Sequence, residues 1–115
     1  MADNCLFCKI ISGEIPSKKV WEDELCYAFH DIAPQAPTHI LLVPKRHVTG
    51  LNGLDLMPDS ELAHCLRAAG LIAKQEGIAL SGYRLLSNCG AHACQSVQHL
   101  HFHLLGGRQL SDKMG

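Results

Sequence analysis

The segment Gln98–Gly107, QHLHFHLLGG, places His99, His101 and His103 at every second position, with Leu100, Phe102 and Leu104 at the positions between and after them. In a strand, successive side chains leave on opposite faces, so a two-residue period separates the two sets. The run therefore predicts a strand over His99–Leu105 with an apolar face turned into a core and an imidazole face turned outward. Neighbouring imidazoles stand about 7 Å apart, two strand rises of about 3.3 Å. That is too open for three ligands on one metal ion, yet close enough to surround one small substrate group. Three groups that titrate near neutrality repel each other once protonated, so the cluster reads as a site.

The rest of the chain supplies partners for such a strand. Residues 5–12, CLFCKIIS, carry Leu6, Phe7, Ile10 and Ile11 at helical spacing, with Gly13 beyond them as a stop. Lys19–Glu22 and Cys26–Asp31 read as two strands joined at Asp23–Glu24. Pro34 and Pro37 punctuate an irregular connection. HILLVPK is a continuously apolar run ended by Pro44, which predicts a central, buried strand. Pro58–Glu76 is the long helix, with Leu62, Cys65, Leu66, Ala69, Ile72 and Ala73 as its apolar stripe and Gly77 after it. YRLLSN completes the strands. These elements predict one α+β domain over residues 1–115. It has a five-stranded antiparallel sheet, one short helix and one long helix, with the long helix on one face and the other face left for the site.

Composition narrows the classes. A net charge of −1 gives no basic field, so no nucleic-acid partner is expected. No apolar run approaches the ~20 residues that cross a bilayer, so no membrane partner is expected either. The stretch MADNCLFCKI lacks a basic region followed by an apolar segment and a cleavage site. Six cysteines without such a leader predict reduced thiols and a cytoplasmic protein.

Three groups of residues carry candidate chemistry. A neutral imidazole attacks phosphorus well, and the labile N-phosphoryl bond lets water reopen it, so one displacement becomes two easier ones. His101 alone has a histidine on both sides along the run and is the candidate nucleophile. Its neighbours can donate to a phosphate or protonate a leaving group. Cys5 and Cys8 have the C-x-x-C spacing that offers two thiolates to one zinc ion. Two further ligands come from among His30, His39, His47, His64, His92 and the triad. In the loop before the triad, Asn88 and Ser96 are neutral donors for phosphate oxygens, and Asp31 is a candidate acceptor for ribose hydroxyls.

The H-x-H-x-H-x-x signature of His99–Leu105 resembles the histidine triad (HIT) superfamily. So do FCKIISGEIPSKKVWEDE, AFHDIAPQAPTHILLVPKRH and QSV.HLHFHLLGGR. The order and spacing resemble its Hint branch, the purine nucleoside phosphoramidases. That resemblance implies a homodimer with a sheet continued across the interface and one purine nucleotide site per subunit. It implies hydrolysis of the phosphorus–nitrogen bond of adenosine or guanosine phosphoramidates and aminoacyl-type adenylates. His101 matches the residue that becomes nucleotidylated. His39 and His103 match histidines at the α-phosphate, and His99 the residue whose carbonyl holds His101. Asp31 matches the ribose ligand, and Phe29 and Ile32 match the apolar purine cleft. Asn88, Ser96 and Val97 match contacts around the phosphate.

The resemblance also implies zinc on Cys5, Cys8, His47 and His99, structural and not catalytic, with no catalytic cofactor. The chain departs from the family at Cys94, where glycine is usual, and in its short tail SDKMG. Dinucleoside polyphosphate hydrolysis, nucleotidyl transfer, and a nucleotide- and zinc-binding interaction protein with incidental catalysis are the competing readings. A glutamine at the last triad position would point to transfer, and His103 stands there instead.

Overall fold

The computed structural model describes residues 4–115; residues 1–3 of the predicted 1–115 domain lie outside them. Five strands, β1 (Lys19–Glu22), β2 (Cys26–His30), β3 (Thr38–Pro44), β4 (Tyr83–Leu86) and β5 (Phe102–Gly106), form one sheet in the order β1-β2-β3-β5-β4. Every neighbouring pair is antiparallel. Two helices pack on it, α1 (Leu6–Ser12) and α2 (Asp59–Gln75). Short 3₁₀ turns at Leu51–Leu56 and Ala91–Ala93 were not expected from the sequence.

Strand β3 has no polar face because both of its faces are covered. Ile40 and Leu42 pack with Cys65, Ala68, Ala69, Ile72 and Ala73 of α2, while Leu41 and Val43 pack with Phe7, Cys8 and Ile10 of α1. A strand buried on both sides reads as a continuous apolar run, as HILLVP does. The expectation that one face would be left free is corrected: α1 covers part of it, and the site lies beside that helix. The small residues of α2 let the helix lie close to the sheet. Leu66, placed in the apolar stripe from its spacing, is half-exposed, and Ala68 takes the buried position. Cys65 is fully buried, as core use predicts.

The triad segment is the other correction. Strand β5 begins at Phe102, so His99, Leu100 and His101 precede the ladder. Their polar groups are held otherwise. Leu100 N–H donates to Val48 O at 2.7 Å, Ser87 Oγ donates to His101 O at 2.7 Å, and His99 Nε2–H donates to Pro44 O at 2.8 Å. The alternation nonetheless survives: Leu100, Phe102 and Leu104 all enter the core under α2, and the histidines face the other way.

Asp23 ties the β1–β2 turn to α2. One carboxylate oxygen accepts from Leu25 N–H (2.8 Å) and Cys26 N–H (3.0 Å). The other accepts from Trp21 Nε1–H (2.9 Å) and His64 Nε2–H (2.8 Å). Burial opposes its charge, but these donors outweigh burial and hold the carboxyl well below the usual carboxylate range. Asp23→Ala leaves several donors without an acceptor and is expected to cost about 1–3 kcal/mol. Urea unfolding checks this, and an unshifted midpoint would mean that the tie adds nothing to stability.

Candidate active site

Two clusters of side chains meet along the imidazole face. The first joins α1, the end of β3 and the triad segment. Cys5 Sγ lies 3.3 Å from His99 Nδ1, Cys8 Sγ lies 3.4 Å from His47 Nδ1 and 3.6 Å from His99 Nδ1, and the two Nδ1 atoms are 3.1 Å apart. One donor atom from each of the four residues falls within a 4.8 Å span. Tetrahedral zinc, with bonds of about 2.1 Å to nitrogen and 2.3 Å to sulfur, needs donor separations of roughly 3.4–3.8 Å. The donor set and spacing fit such an ion. Burial, against the pull of the Pro44 carbonyl, pushes His99 down to about 4, so its ring is neutral as a ligand must be. Its Nε2–H bond to Pro44 O fixes which nitrogen faces the thiols.

His101 begins the second cluster. Its Nδ1 lies 2.7 Å from His99 O, and a carbonyl can only accept, so the proton sits on Nδ1 and Nε2 keeps its lone pair. Phe7, between the two cysteines, packs edge-to-face on His101 with ring centroids 4.9 Å apart, and also contacts His99 and Phe29. The ring of His101 is 5.3 Å from that of His103.

His39 and His103 are diagonal neighbours across β3 and β5, since His39 pairs with Leu105 and Leu41 with His103. Gln35 N–H donates to His39 Nδ1 at 3.0 Å, so the proton of His39 sits on Nε2. That nitrogen is 2.9 Å from His103 Nδ1 and 3.4 Å from Asp31 Oδ2. His103 Nδ1 therefore accepts, and its Nε2 carries a proton available to a ligand. Burial lowers the His39 pKa against the opposing effect of Asp31. Burial, with His101 and His39 nearby, pushes His103 down to about 4. The pair is neutral near pH 7.

Beside it opens a cleft of about 760 Å³, lined by Ile10, Phe29, Asp31, Ile32, Pro37 and His39, with Lys18 and His30 also on its wall. Phe29 is buried at its floor, whereas Ile32 is fully exposed on its rim. Ser96 and Val97 line a different cleft, with Cys5 and His47. Val97 packs against the α1 cluster, and Asn88 is half-buried. Cys94, exposed, has φ 62° and ψ 36°. Among the described residues it alone has positive φ without being glycine. The left-handed region explains why glycine suits this position, and cysteine holds it at a cost of about 1–2 kcal/mol.

Ser87, Phe7 and Gln35 were not singled out from the sequence. Ser87 and Gln35 act through or on backbone groups, which side-chain patterns do not display. Phe7 looked like an ordinary apolar helix residue.

The HIT domain family model matches residues 12–110. The chain belongs to the HIT family. It is 48% identical over 110 residues to the purine nucleoside phosphoramidase of Escherichia coli K12, covering 96% of this chain and 92% of that one. The 14 kDa zinc-binding protein of Zea mays is 51% identical over 109 residues, covering 92% and 84%. A solved HIT family hydrolase from Clostridium thermocellum superposes with a TM-score of 0.94 at 44% identity, covering 99% of each chain. No helix among the described residues of this HIT protein is long and apolar enough to cross a membrane.

His103 makes stability pH-dependent. Its folded pKa, about 4, lies below the ordinary histidine value of 6.5, so between those values the unfolded chain binds the proton and the folded chain does not. Stability from this residue is therefore full above pH 6.5 and falls as pH drops toward 4. Melting temperatures across that window are expected to decline less steeply in His103→Gln than in the native protein.

Proposed function

We propose that this HIT protein hydrolyses the P–N bond of purine nucleoside phosphoramidates, adenosine and guanosine phosphoramidates among them, and the acyl-phosphate P–O bond of aminoacyl-type adenylates, through a nucleotidyl intermediate on His101. The observation that carries this reading is the 2.7 Å bond from His101 Nδ1–H to His99 O, which leaves Nε2 as the nucleophile. The E. coli relative, a purine nucleoside phosphoramidase, supports the substrate class.

In this mechanism the purine enters the cleft over Phe29, with Ile32 at its rim, and Asp31 accepts from the ribose hydroxyls. Asn88, Ser96 and Val97 serve the phosphate and leaving-group side. His101 Nε2 bonds to phosphorus as the P–N bond breaks, the departing nitrogen leaves as the amine with a proton from solvent, and His103 Nε2–H donates a hydrogen bond to the phosphoryl group. Water then attacks phosphorus, the Nε2–P bond breaks, and the attacking water gives up its proton to solvent. His39 holds His103 in the donor tautomer throughout.

Cys5, Cys8, His47 and His99 are proposed to hold one zinc ion. Four protein ligands leave no open position, so that ion would be structural, fastening α1 to the segment that supports His101. Such thiolate ligands require a reducing compartment, which favours the cytoplasm. A homodimer is proposed as well. Edge strand β4 carries half-exposed Tyr83, whose hydroxyl is 4.0 Å from where a Cβ would stand on Gly70 of α2, and Leu66 and Leu71 of that helix are half-exposed as well.

His101→Ala is expected to abolish turnover of an adenosine phosphoramidate while AMP binding stays within about tenfold, since the loss falls on the transition state. Steady-state kinetics beside diadenosine polyphosphates, with calorimetric AMP titration, checks it. No turnover by the native protein while AMP still binds would sink the phosphoramidase reading. Replacing Cys5 and Cys8 together by serine is expected to release one zinc per chain and to lower the melting temperature more than it lowers kcat. Metal analysis of protein purified without chelator tests this, and finding no zinc in the native protein would refute it.

A further inference from the structure

The tautomer of the His39–His103 pair is set from outside the imidazole cluster. Gln35 N–H reaches His39 Nδ1 at 3.0 Å, and the carbonyl of the same residue accepts from Arg108 Nη2 at 2.9 Å. Arg108 Nη1 donates in turn to Gln109 O at 3.0 Å, so two separate nitrogens fix the guanidinium plane. The Gln35 side chain takes no part, since its Nε2 donates to Ala33 O. A second contact acts on the same loop. Gly107 has φ +92°, and a Cβ there would stand 2.9 Å from Pro37 Cβ and 3.4 Å from Thr38 N. The backbone leaving β5 thus runs close against one end of the Gln35–Thr38 segment, at a glycine that leaves room for it, while Arg108 holds the other.

We infer that Arg108, through the main chain of Gln35, is a positioning residue that locks His39 and His103 into the orientation in which His103 presents Nε2–H to the substrate. This deepens the reading of the same site as a phosphoramidase and rests on it for its catalytic consequence. The physical reason is directional. A water molecule or a hydroxyl on His39 Nδ1 could donate or accept, and the ring could then carry its proton on either nitrogen. A peptide N–H only donates, so Nδ1 must accept, Nε2 must donate, and His103 Nδ1 must accept in its turn. The N–H and C=O of Gln35 lie on adjacent peptide units, so holding the carbonyl fixes the Gln35 backbone that aims the N–H. That loop has no strand ladder of its own, because β3 begins at Thr38. Arg108 supplies the missing hold from the exit of β5, by fork-like donation that a single point charge does not reproduce.

The test reads the tautomer and the chemistry separately. Long-range ¹H–¹⁵N correlation of the histidine rings, on the full chain without substrate, is expected to show His39 Nδ1 unprotonated in the native protein. In Arg108→Met the Nδ1 and Nε2 signals of His39 are expected to move toward a shared, averaged protonation. kcat is expected to fall about tenfold with KM within about twofold, because the loss lies in the hydrogen bond to the phosphoryl group in the transition state and not in ground-state binding. Arg108→Lys, with one donor, is expected to fall between. Gln35→Pro, which removes the N–H outright, is expected to shift the tautomer further than Arg108→Met. If Arg108→Met keeps the native ring signals the inference is overturned, whatever Gln35→Pro does, and equally if kcat and KM change together with the rings untouched. A native protein that turns over no phosphoramidate overturns the functional reading instead, while the ring spectra still decide the tautomer lock.

Discussion

The chemistry proposed for this HIT protein hangs on one hydrogen bond, His101 Nδ1–H to the carbonyl of His99 at 2.7 Å. Imidazole is symmetric enough in reactivity that only its surroundings decide which nitrogen attacks. A carbonyl decides it without ambiguity. The residue that owns the carbonyl is itself immobile, buried and bonded through its ring to Pro44 O, with its other nitrogen among Cys5, Cys8 and His47. One residue therefore spends its side chain on the metal-type cluster and its main chain on the proposed nucleophile.

The same logic governs the second pair of histidines with the sign reversed. A peptide donor at Gln35 forces His39 to accept, and the alternation passes through the ring to His103. Two backbone groups, one acceptor and one donor, thus specify the proton positions of three imidazoles. Burial completes the device. Desolvation disfavours the imidazolium forms of His39, His99 and His103, so these rings can crowd together without the repulsion that would otherwise push them apart.

How much of this was legible in the sequence follows from which atoms carry it. The two-residue period of His99–Leu104 reports side-chain direction, and the faces separated as expected even where no ladder forms over His99–His101. The strands, both helices and the meeting of Cys5 with His99 across 94 positions were also readable, the last through family resemblance and not spacing. Leu66 was misplaced because periodicity cannot say how wide a buried stripe is, and small Ala68 narrowed it. The cover of α1 over the second face was missed for a different reason. A seven-residue helix carries too few apolar positions to announce which surface it protects, although the unbroken apolarity of β3 already required a cover there.

That cover explains why stability and chemistry are divided between the faces. Under α2 the contacts are aliphatic and generic, built on alanines and on the leucine side of the triad. Under α1 they are specific: Phe7 touches two of the triad rings, and the residues flanking it are Leu6 and the second thiol, Cys8. A helix of seven residues is too short to be stable by propensity alone. It needs tertiary anchors, and here those anchors are the same thiols that face His47 and His99. The helix cannot loosen without freeing the ring that packs on His101. Order at the N-terminal helix and order at the nucleophile are therefore one property of this fold, joined through Phe7 on one side and the His99 main chain on the other.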